Sequence, residues 1–549
     1  MTRLTPCLLC CLALALPAKA QTSVSVPINP APARAAAITS ALLNPWDNPD
    51  VCAADLALGF FDEDFAKWAG AAEKGDPNAL LAAGCLQLTG RGTKTDGSAA
   101  IEMLKRAEAA GVSEAAAVLA RVYILGSAGI TPDPLHAFEQ LVAGSNAGDP
   151  YSQMMLGNSL AIGTRAIVKD ESKAREWLLK AAMLSNPIAA NNLAALLDRA
   201  PLEARDDDFI RGLLQVAALK GDDDAKRAVT RIRLASWSSE PGMPDNAFAD
   251  AVQINNALAA RNLTDAAKFA EPLLAAKHPA ALFADGLAIS QTDPSAAVAR
   301  FQEAAAAGHS YAAVQLAAAY HGGAGVAPDD HRAFLWLQRA AFQGEHDAEL
   351  SIVNLYSQNS DAERNALKSF WILRGALLGN VELWNAMRQS IHGFPPMLDV
   401  KARQRRTQAL DAKLDGRIHN YYPVPNYFGT ATLQPDDALV QSMVHAAEGG
   451  DALARMFLAA YYDGRRESAD AVKWLRMAAD QGLPEAQSNL GDHYIVGTGV
   501  PRDPVQAYVW CSLGLKGGNL DSYFNRPSLT GADLAAARKQ IAAFTPNLE

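Results

Sequence analysis

Cysteine is scarce in this sequence. The 549 residues include only six cysteines, and three of these lie within the first eleven positions. The other three, Cys52, Cys85 and Cys511, contain no C-x-x-C pair. Disulfide-rich folds and structural zinc sites need closely spaced sets of cysteines, so both classes are excluded for the body of the chain.

Aromatic residues and excess positive charge are also lacking. Only 7% of the residues are Phe, Trp or Tyr, and the formal net charge is −10. Phosphate backbones and anionic membrane surfaces repel an acidic chain, so neither nucleic acid nor a membrane surface is an expected partner. Half of the residues are hydrophobic and a fifth are charged, which indicates a large folded body.

Motifs that carry catalytic chemistry are absent. The chain has no H-E-x-x-H, G-x-S-x-G, G-x-x-x-x-G-K or S-x-x-K string. Acidic clusters at 62–64, 206–208 and 222–224 lack the alternating spacing and distal Glu of a calcium loop. We therefore expect no catalytic residue, no cofactor and no metal ion, and we interpret the protein as a non-enzyme. Three histidines near repeat boundaries are interpreted as polar helix caps: His278, His309 and His346.

The first twenty residues have the order typical of a cleavable secretory signal. Arg3 precedes the apolar run Cys7–Leu16, and Ala18–Ala20 offers small residues around a cleavage position. The run is about ten residues long, too short to span a bilayer. We expect residues 1–20 to be removed and residues 21–50, rich in Pro, Ala and Ser, to form a flexible leader. The protein is then expected to be periplasmic or secreted.

Export would place the remaining cysteines in an oxidising compartment. Cys52 and Cys85 fall in the first two predicted helical segments and are candidates for one disulfide at the N-terminal end. Two buried thiols are the alternative. Cys511 lies beside Trp510 in an apolar helical segment and is expected to be buried and inert.

A recurring string indicates internal repeats. Two small residues, two variable ones and a final residue, usually glycine, end successive segments, and we call that final residue the closing position. The closing positions are Gly75, Gly111, Gly148, Ser185, Gly221, Gly308, Gly344, Gly379, Gly450, Gly482 and Gly518. Most neighbouring closing positions are 32 to 37 residues apart. A period sustained over this length is typical of a solenoid of stacked repeats.

Each repeat is predicted to be a pair of antiparallel helices. Alanines three and four residues apart allow close helix approach, and a closing glycine suits the left-handed backbone that ends a helix. Gly75-Asp76-Pro77 and Gly148-Asp149-Pro150 then place Asp as the N-cap and Pro at the first position of the next helix. Five tryptophans lie eight residues before a closing position and are predicted to be core: Trp177, Trp336, Trp371, Trp474 and Trp510.

The pattern A-x-x-L-(A/G)-x-x-Y-x-x-G-x-G-V…D…A-x-x-W-x-x-x-A-A-x-x-G resembles the Sel1-like repeat, a relative of the tetratricopeptide repeat. Its best copies run from Ala312 to Gly344 and from Ala486 to Gly518, and the resemblance covers most of residues 60–520. The resemblance implies an all-α fold, an α/α solenoid in the form of a right-handed superhelix, in an exported bacterial member of the family. It also implies a scaffold for protein–protein interaction, without naming the partner.

Departures from the period divide the predicted array. The step from Gly221 to Gly308 fits neither two nor three units, and turn residues gather at 236–244. Lys277–Pro279 is interpreted as a degenerate unit end inside this step. A break near residue 240 would give two subarrays. The predicted segments are an N-terminal array at 51–235, a linker at 236–245, a middle array at 246–392, an insertion at 393–435, C-terminal repeats at 436–518 and a capping helix at 519–549.

The insertion is the least repeat-like part of the chain and the first candidate for a binding surface. It is basic and aromatic in an otherwise acidic chain, and Arg and Tyr are frequent hot spots of interfaces. The candidate partner-binding residues are Arg403, Arg405, Arg406, Tyr421, Tyr422 and Tyr427. The alternative is a solvated basic helix followed by tyrosines that pack on the array.

These observations favour a non-enzymatic, exported adaptor or regulator that binds an envelope or membrane protein. A binder of peptidoglycan or its peptides is an alternative, with the insertion tyrosines as stacking platforms. The resemblance to the wider family implies a third hypothesis, a weak β-lactam-binding hydrolase. The chain lacks both a nucleophile motif and the cysteine-paired repeats of that subgroup, which disfavours it.

Overall fold

The fold is all-α wherever the chain is described. The computed structural model describes residues 65–163, 168–184, 186–200, 206–357, 362–378 and 436–547, together with positions 380, 382, 383, 386 and 434. No strand occurs in these residues, and consecutive helices pack on each other in pairs. The predicted α/α solenoid of helix–turn–helix repeats is confirmed.

Most of the described helices are joined to the next by a short turn, and a long segment separates the eighteenth from the nineteenth. The first ten are α1 (Phe65–Glu73), α2 (Pro77–Thr89), α3 (Gly97–Ala109), α4 (Glu114–Leu125), α5 (Pro134–Asn146), α6 (Pro150–Ile162), α7 (Glu171–Met183), α8 (Pro187–Asp198), α9 (Asp207–Leu219) and α10 (Asp223–Ser238). The next eight are α11 (Ala247–Ala259), α12 (Leu263–Leu274), α13 (Pro279–Ile289), α14 (Pro294–Ala306), α15 (Ser310–Gly322), α16 (Asp330–Phe342), α17 (His346–Ser357) and α18 (Ala362–Leu378). The last seven are α19 (Ala438–Glu448), α20 (Ala452–Gly464), α21 (Ser468–Asp480), α22 (Pro484–Val496), α23 (Pro504–Lys516), α24 (Asp521–Asn525) and α25 (Gly531–Ala543).

The closing glycines end the helix pairs in a left-handed conformation, as predicted. Their φ angles lie between +86° and +97° at Gly75, Gly111, Gly148, Gly221, Gly308, Gly344, Gly450, Gly482 and Gly518. Lys277, with a φ of +55°, takes the same place after α12 and confirms the degenerate unit end. A side chain is strained in this conformation, which explains why glycine recurs at the period. Ser185 and Gly379 lie outside the described residues.

The next helix starts where the sequence predicts. The Asp76 carboxylate accepts hydrogen bonds from the backbone N–H groups of Asn78, at 2.9 Å, and Ala79, at 3.1 Å. Asp149 accepts one from the backbone N–H of Ser152 at 2.6 Å. A proline follows each Asp at the first helical position. One short string therefore both ends a helix and caps the next.

The five tryptophans at the repeat period are core, as predicted, with between 0 and 8% of their surface exposed. Trp371 is the most buried of them. Its ring stacks on Phe342 with centroids 6.0 Å apart, and its indole N–H donates to the Asp451 carboxylate at 3.3 Å. This one side chain thus joins α18 to α16 and to the start of α20.

The array continues across the long segment between α18 and α19. The Tyr356 hydroxyl on α17 donates to the Asp451 carboxylate at 2.8 Å. The Arg374 guanidinium on α18 donates to Glu485 on α22 at 3.3 Å. Helices on either side of this segment therefore pack directly on each other.

The chain also packs across the predicted break near residue 240. Helix α10 extends to Ser238, into the predicted linker, so the segment that follows it begins at residue 239. Leu234 shares a hydrophobic cluster with Ala247 and Ile254 of α11. The Trp237 indole N–H donates to the carbonyl of Ala307 at 3.1 Å. These contacts join the two predicted subarrays.

The C-terminal repeats return to pack on α9, a contact that the repeat pattern does not predict. Leu515 and Leu520 lie in one hydrophobic cluster with Leu213 of α9. The rings of Phe209 and Tyr523 stack with centroids 3.9 Å apart. The helices from α9 to α23 therefore form a closed circuit, and α9 and α23 meet at a contact that we call the closure.

Charged groups and a glycine fit the closure together. The Lys516 ammonium lies 3.2 Å from the Asp208 carboxylate, and Arg526 pairs with Asp206, 320 residues away in sequence. A Cβ added at Gly212 would lie 2.4 Å from the carbonyl oxygen of Leu515. Only glycine permits this approach of α9 to α23.

The cysteines outside the predicted signal differ in state. Cys511 is a free, fully buried thiol, as predicted, and burial raises its pKa well above the usual value. Cys85 on α2 is fully buried and disulfide-bonded. Cys52 lies outside the described residues, so its pairing with Cys85 stays a prediction.

Candidate functional site

The closure borders a partly open cavity of about 300 Å³. Arg211 of α9, Arg233 of α10 and Lys516 of α23 lie in its wall, as do the closing turns at Gly308 and Gly482. Repeats that are far apart in sequence therefore meet at one site. A cavity of this size is within the range of small-ligand sites.

Among the described residues, the wall of the cavity holds three cations and no carboxylate. Burial lowers the pKa of Arg233 and of Lys516, and the nearby Arg211 guanidinium lowers both further. Arg211 makes no hydrogen bond or ion pair with any residue that the structure describes. The cavity is thus a positively charged site in a chain of net charge −10.

Arg233 and Lys516, unlike Arg211, are held by groups behind the wall. Arg233 donates to the Ser310 hydroxyl at 2.9 Å, and that hydroxyl donates to Glu345. Burial raises the pKa of Glu345. The Asp208 carboxylate partly neutralises the positive charge of the Lys516 ammonium across the closure. Among the three cations, Arg211 is therefore the one available for a ligand.

Two capping histidines lie next to the cavity wall. His278 accepts a hydrogen bond at Nδ1 from the backbone N–H of Ala280 at 3.2 Å, and His309 accepts one from Ala312 at 3.3 Å. The Trp237 ring stacks on His309 with centroids 5.5 Å apart. These contacts confirm the predicted capping role at both positions. The side chain of His346 lies outside the described residues, so its capping role stays a prediction.

The two caps predict a dependence of stability on pH. Burial lowers the pKa of His278 to about 4 and, with the charge of Arg233, that of His309 to about 3. Near pH 5 both rings are neutral in the folded protein but protonated in the unfolded chain. Their contribution to the free energy of unfolding therefore falls as the pH drops through about 6.5. Buried carboxyl groups with raised pKa values oppose this effect, and they are common to wild type and variants.

We therefore expect the double variant His278→Asn, His309→Asn to lose less stability than wild type between about pH 7 and about pH 5. Asparagine keeps the cap because its amide oxygen accepts the same bonds. Urea midpoints at the two pH values measure the difference. The exposed His331→Asn variant is the control and should follow wild type. Equal losses of stability in wild type, the double variant and the control would contradict the lowered pKa values of His278 and His309.

The candidate residues of the insertion, Arg403, Arg405, Arg406, Tyr421, Tyr422 and Tyr427, lie outside the described residues. Their role in partner binding stays a prediction. The sequence did not single out the cavity residues Arg211, Arg233 and Lys516. Each is an isolated cation on an amphipathic helix, and a cation that only faces solvent gives the same sequence pattern. The one sequence feature that pointed to this region was the irregular spacing between the closing positions Gly221 and Gly308, a stretch that includes α10.

Comparison with known families agrees with the repeat pattern. The Sel1 repeat model matches residues 77–112, 113–139, 150–186, 279–309, 310–345, 450–483 and 484–519. The chain contains seven Sel1 repeats. The unmatched stretches include α10 to α12 and the segment between α18 and α19, where the period departs from its usual length. Sel1 repeats are typical of protein-interaction scaffolds.

Other comparisons give distant similarities. The chain is 26% identical over 253 residues to the chitin synthase regulator SKT5 of Saccharomyces cerevisiae, covering 42% of this chain and 36% of that protein. It therefore spans about a third of the length of this curated relative.

Two solved structures are also similar. One is a protective antigen present in uropathogenic Escherichia coli strains, displaying an SLR fold, with 20% identity, a TM-score of 0.28, and coverage of 88% of this chain and 96% of that one. The other is a Sel1 repeat protein from Oxalobacter formigenes, with 19% identity, a TM-score of 0.24, and coverage of 69% and 99%.

Two kinds of feature are absent from the described residues. No helix in them is long and apolar enough to cross a membrane. No set of three or more His, Cys, Asp or Glu side chains is grouped there as a metal site.

Proposed function

We propose that this Sel1-repeat-containing protein is a non-enzymatic, exported scaffold that binds a protein partner in the cell envelope, as an adaptor or regulator. The observation that carries this proposal is the circuit of Sel1 repeats, since such repeats are typical of protein-interaction scaffolds. A closed circuit holds distant repeats in fixed relation, and a pre-organised surface loses little freedom on binding. Export rests on the signal-like order of residues 1–20.

The repeats also present an apolar edge. The last residue of the first helix in three pairs is exposed although apolar: Leu125 of α4, Ile162 of α6 and Val496 of α22, at 46, 53 and 55%. The first two belong to adjacent repeats, and Leu135 at the start of α5 is exposed beside them in sequence. Repeated apolar residues at one edge are typical of a surface that another protein covers.

The function is tested by capture from a cross-linked envelope extract, using residues 21–549 as bait. We expect wild type to capture a defined protein, and the variant Leu125→Gln, Ile162→Gln to bind the purified partner at least tenfold more weakly. The matched control is Leu263→Gln, because Leu263 is similarly exposed, at 45%, but lies on α12. Equal binding by all three proteins would contradict a role for this edge. The absence of any reproducible protein partner would contradict the proposed function itself.

The same preparation tests export and the alternatives. We expect the mature protein in the envelope or secreted fraction, with Gln21 as its first residue. An uncleaved chain confined to the cytosol would contradict export. Sedimentation with peptidoglycan, without a protein partner, would favour the glycan-binding alternative. Turnover of a chromogenic β-lactam would favour the hydrolase.

A further inference from the structure

The cavity at the closure contains unsatisfied groups of two kinds. The first is the Arg211 guanidinium, which has no partner among the described residues. The second is the side-chain oxygen of Gln343, which is buried and accepts no hydrogen bond from the part of the chain that the structure describes. Buried polar groups in folded proteins are normally satisfied, so the unmatched Gln343 oxygen indicates a missing donor. Arg211 is half-buried in the same wall, and together the two groups point to a ligand with the complementary pair.

We propose that this cavity binds a peptide-type acid: an α-carboxylate next to an amide N–H, with an apolar side chain. The carboxylate would pair with Arg211, whose planar guanidinium donates two parallel hydrogen bonds to such a group. The amide N–H would donate to the Gln343 oxygen. Phe342, Leu513 and Phe544 supply apolar surface in the same wall for the side chain.

The charges around the cavity favour a single negative charge over a phosphate. Glu345 lies behind Arg233, through Ser310, and Asp208 lies behind Lys516. These two carboxyl groups partly compensate their cations, whereas Arg211 has no such partner in the described ranges. One carboxylate therefore balances the remaining charge, and a second negative charge would meet no uncompensated cation among the described residues of this wall.

Ligand binding is coupled to the closure because the cavity wall includes both of its sides. Arg211 lies on α9, whereas Leu513 and Lys516 lie on α23. A ligand that contacts both helices binds the closed circuit and not an open one, so it stabilises the closed form.

This inference rests on the proposed function in one respect, because the acid would be either the C-terminus of the partner or a free short peptide. Both sources share the terminal carboxylate and its neighbouring N–H. A ten-residue peptide and a dipeptide with the same ending distinguish them. Tighter binding of the longer peptide assigns the site to a partner's C-terminus, and equal binding assigns it to a free peptide.

The test uses the full chain and five N-acetyl-alanyl dipeptides that end in Val, Leu, Ile, Met or Phe, each as the free acid and as the C-terminal amide. We expect at least one acid to bind by calorimetry and to raise the melting temperature, with its amide at least tenfold weaker. Arg211→Gln and Gln343→Met should each weaken binding of the acid by at least tenfold. The exposed Arg231→Gln variant on α10 is the matched control and should bind as wild type does.

Binding of none of the five acids, equal binding of acid and amide, or unchanged binding by Arg211→Gln would overturn the inference. The inference and the proposed function fail separately. A chain that captures its protein partner but binds no acid retains the scaffold function and loses this site. A chain that binds the acids but captures no protein retains the site and loses the scaffold function.

Discussion

Replacement of Gly212 by leucine is expected to open the closure without unfolding the repeats. A Cβ at this position would lie 2.4 Å from the carbonyl oxygen of Leu515, so α9 and α23 must separate. Overpacking of this kind costs about 1–3 kcal/mol. Each repeat keeps its own neighbours when the closure opens, because solenoid stability is mainly a sum of nearest-neighbour terms.

Small-angle scattering and circular dichroism together measure this effect. We expect a larger radius of gyration in Gly212→Leu, with the helical signal unchanged. Gly70→Leu on α1 is the matched control, because a Cβ at Gly70 meets no atom within 4 Å. A Gly212→Leu protein with the scattering profile of wild type would contradict the closure.

Truncation of Trp371 to alanine is expected to give the largest loss of stability of any single change considered. The side chain is fully buried, and its removal from a packed core costs about 3–5 kcal/mol. The change also removes the indole N–H that donates to Asp451. Asp451 is buried, so it depends on the donors that remain, from Tyr356 and the backbone of Ala454.

Trp371→Phe separates the two contributions. Phenylalanine keeps much of the aromatic volume against Phe342 but lacks the N–H group, so we expect a smaller loss, with about 1–3 kcal/mol from the missing hydrogen bond. Urea unfolding of the two variants measures both losses. A Trp371→Ala protein within about 1 kcal/mol of wild type would show that this helix does not pack as described.

The repeats were predictable from sequence because local interactions define them. A closing glycine, an Asp cap and a proline act within four residues of one another, as at Gly75-Asp76-Pro77. The tryptophans follow the same period because each fills the same space between neighbouring helices. Such signals recur at every unit, and their repetition identifies them even where one unit is degenerate, as at Lys277.

The closure and the cavity were not predictable in the same way. Whether α9 meets α23 depends on small rotations that add up over all the repeats between them. Gly212 has the appearance of an ordinary helical glycine until Leu515 is placed opposite it. Arg211, Arg233 and Lys516 likewise have no shared spacing in the sequence. Helix α10 adds to the difficulty, because the turn residues at 236–244 predicted a linker from residue 236, whereas the helix continues to Ser238.

The most direct test of the closed circuit is zero-length carbodiimide cross-linking of the full chain, read by mass spectrometry of the monomer. The Lys516 ammonium and the Asp208 carboxylate are 3.2 Å apart, close enough to form an amide. Lys277 and Glu303, 2.9 Å apart within the middle repeats, serve as the internal control. We predict both cross-linked peptides in the monomeric protein. Recovery of the Lys277–Glu303 product without any Lys516–Asp208 product would contradict the closed circuit.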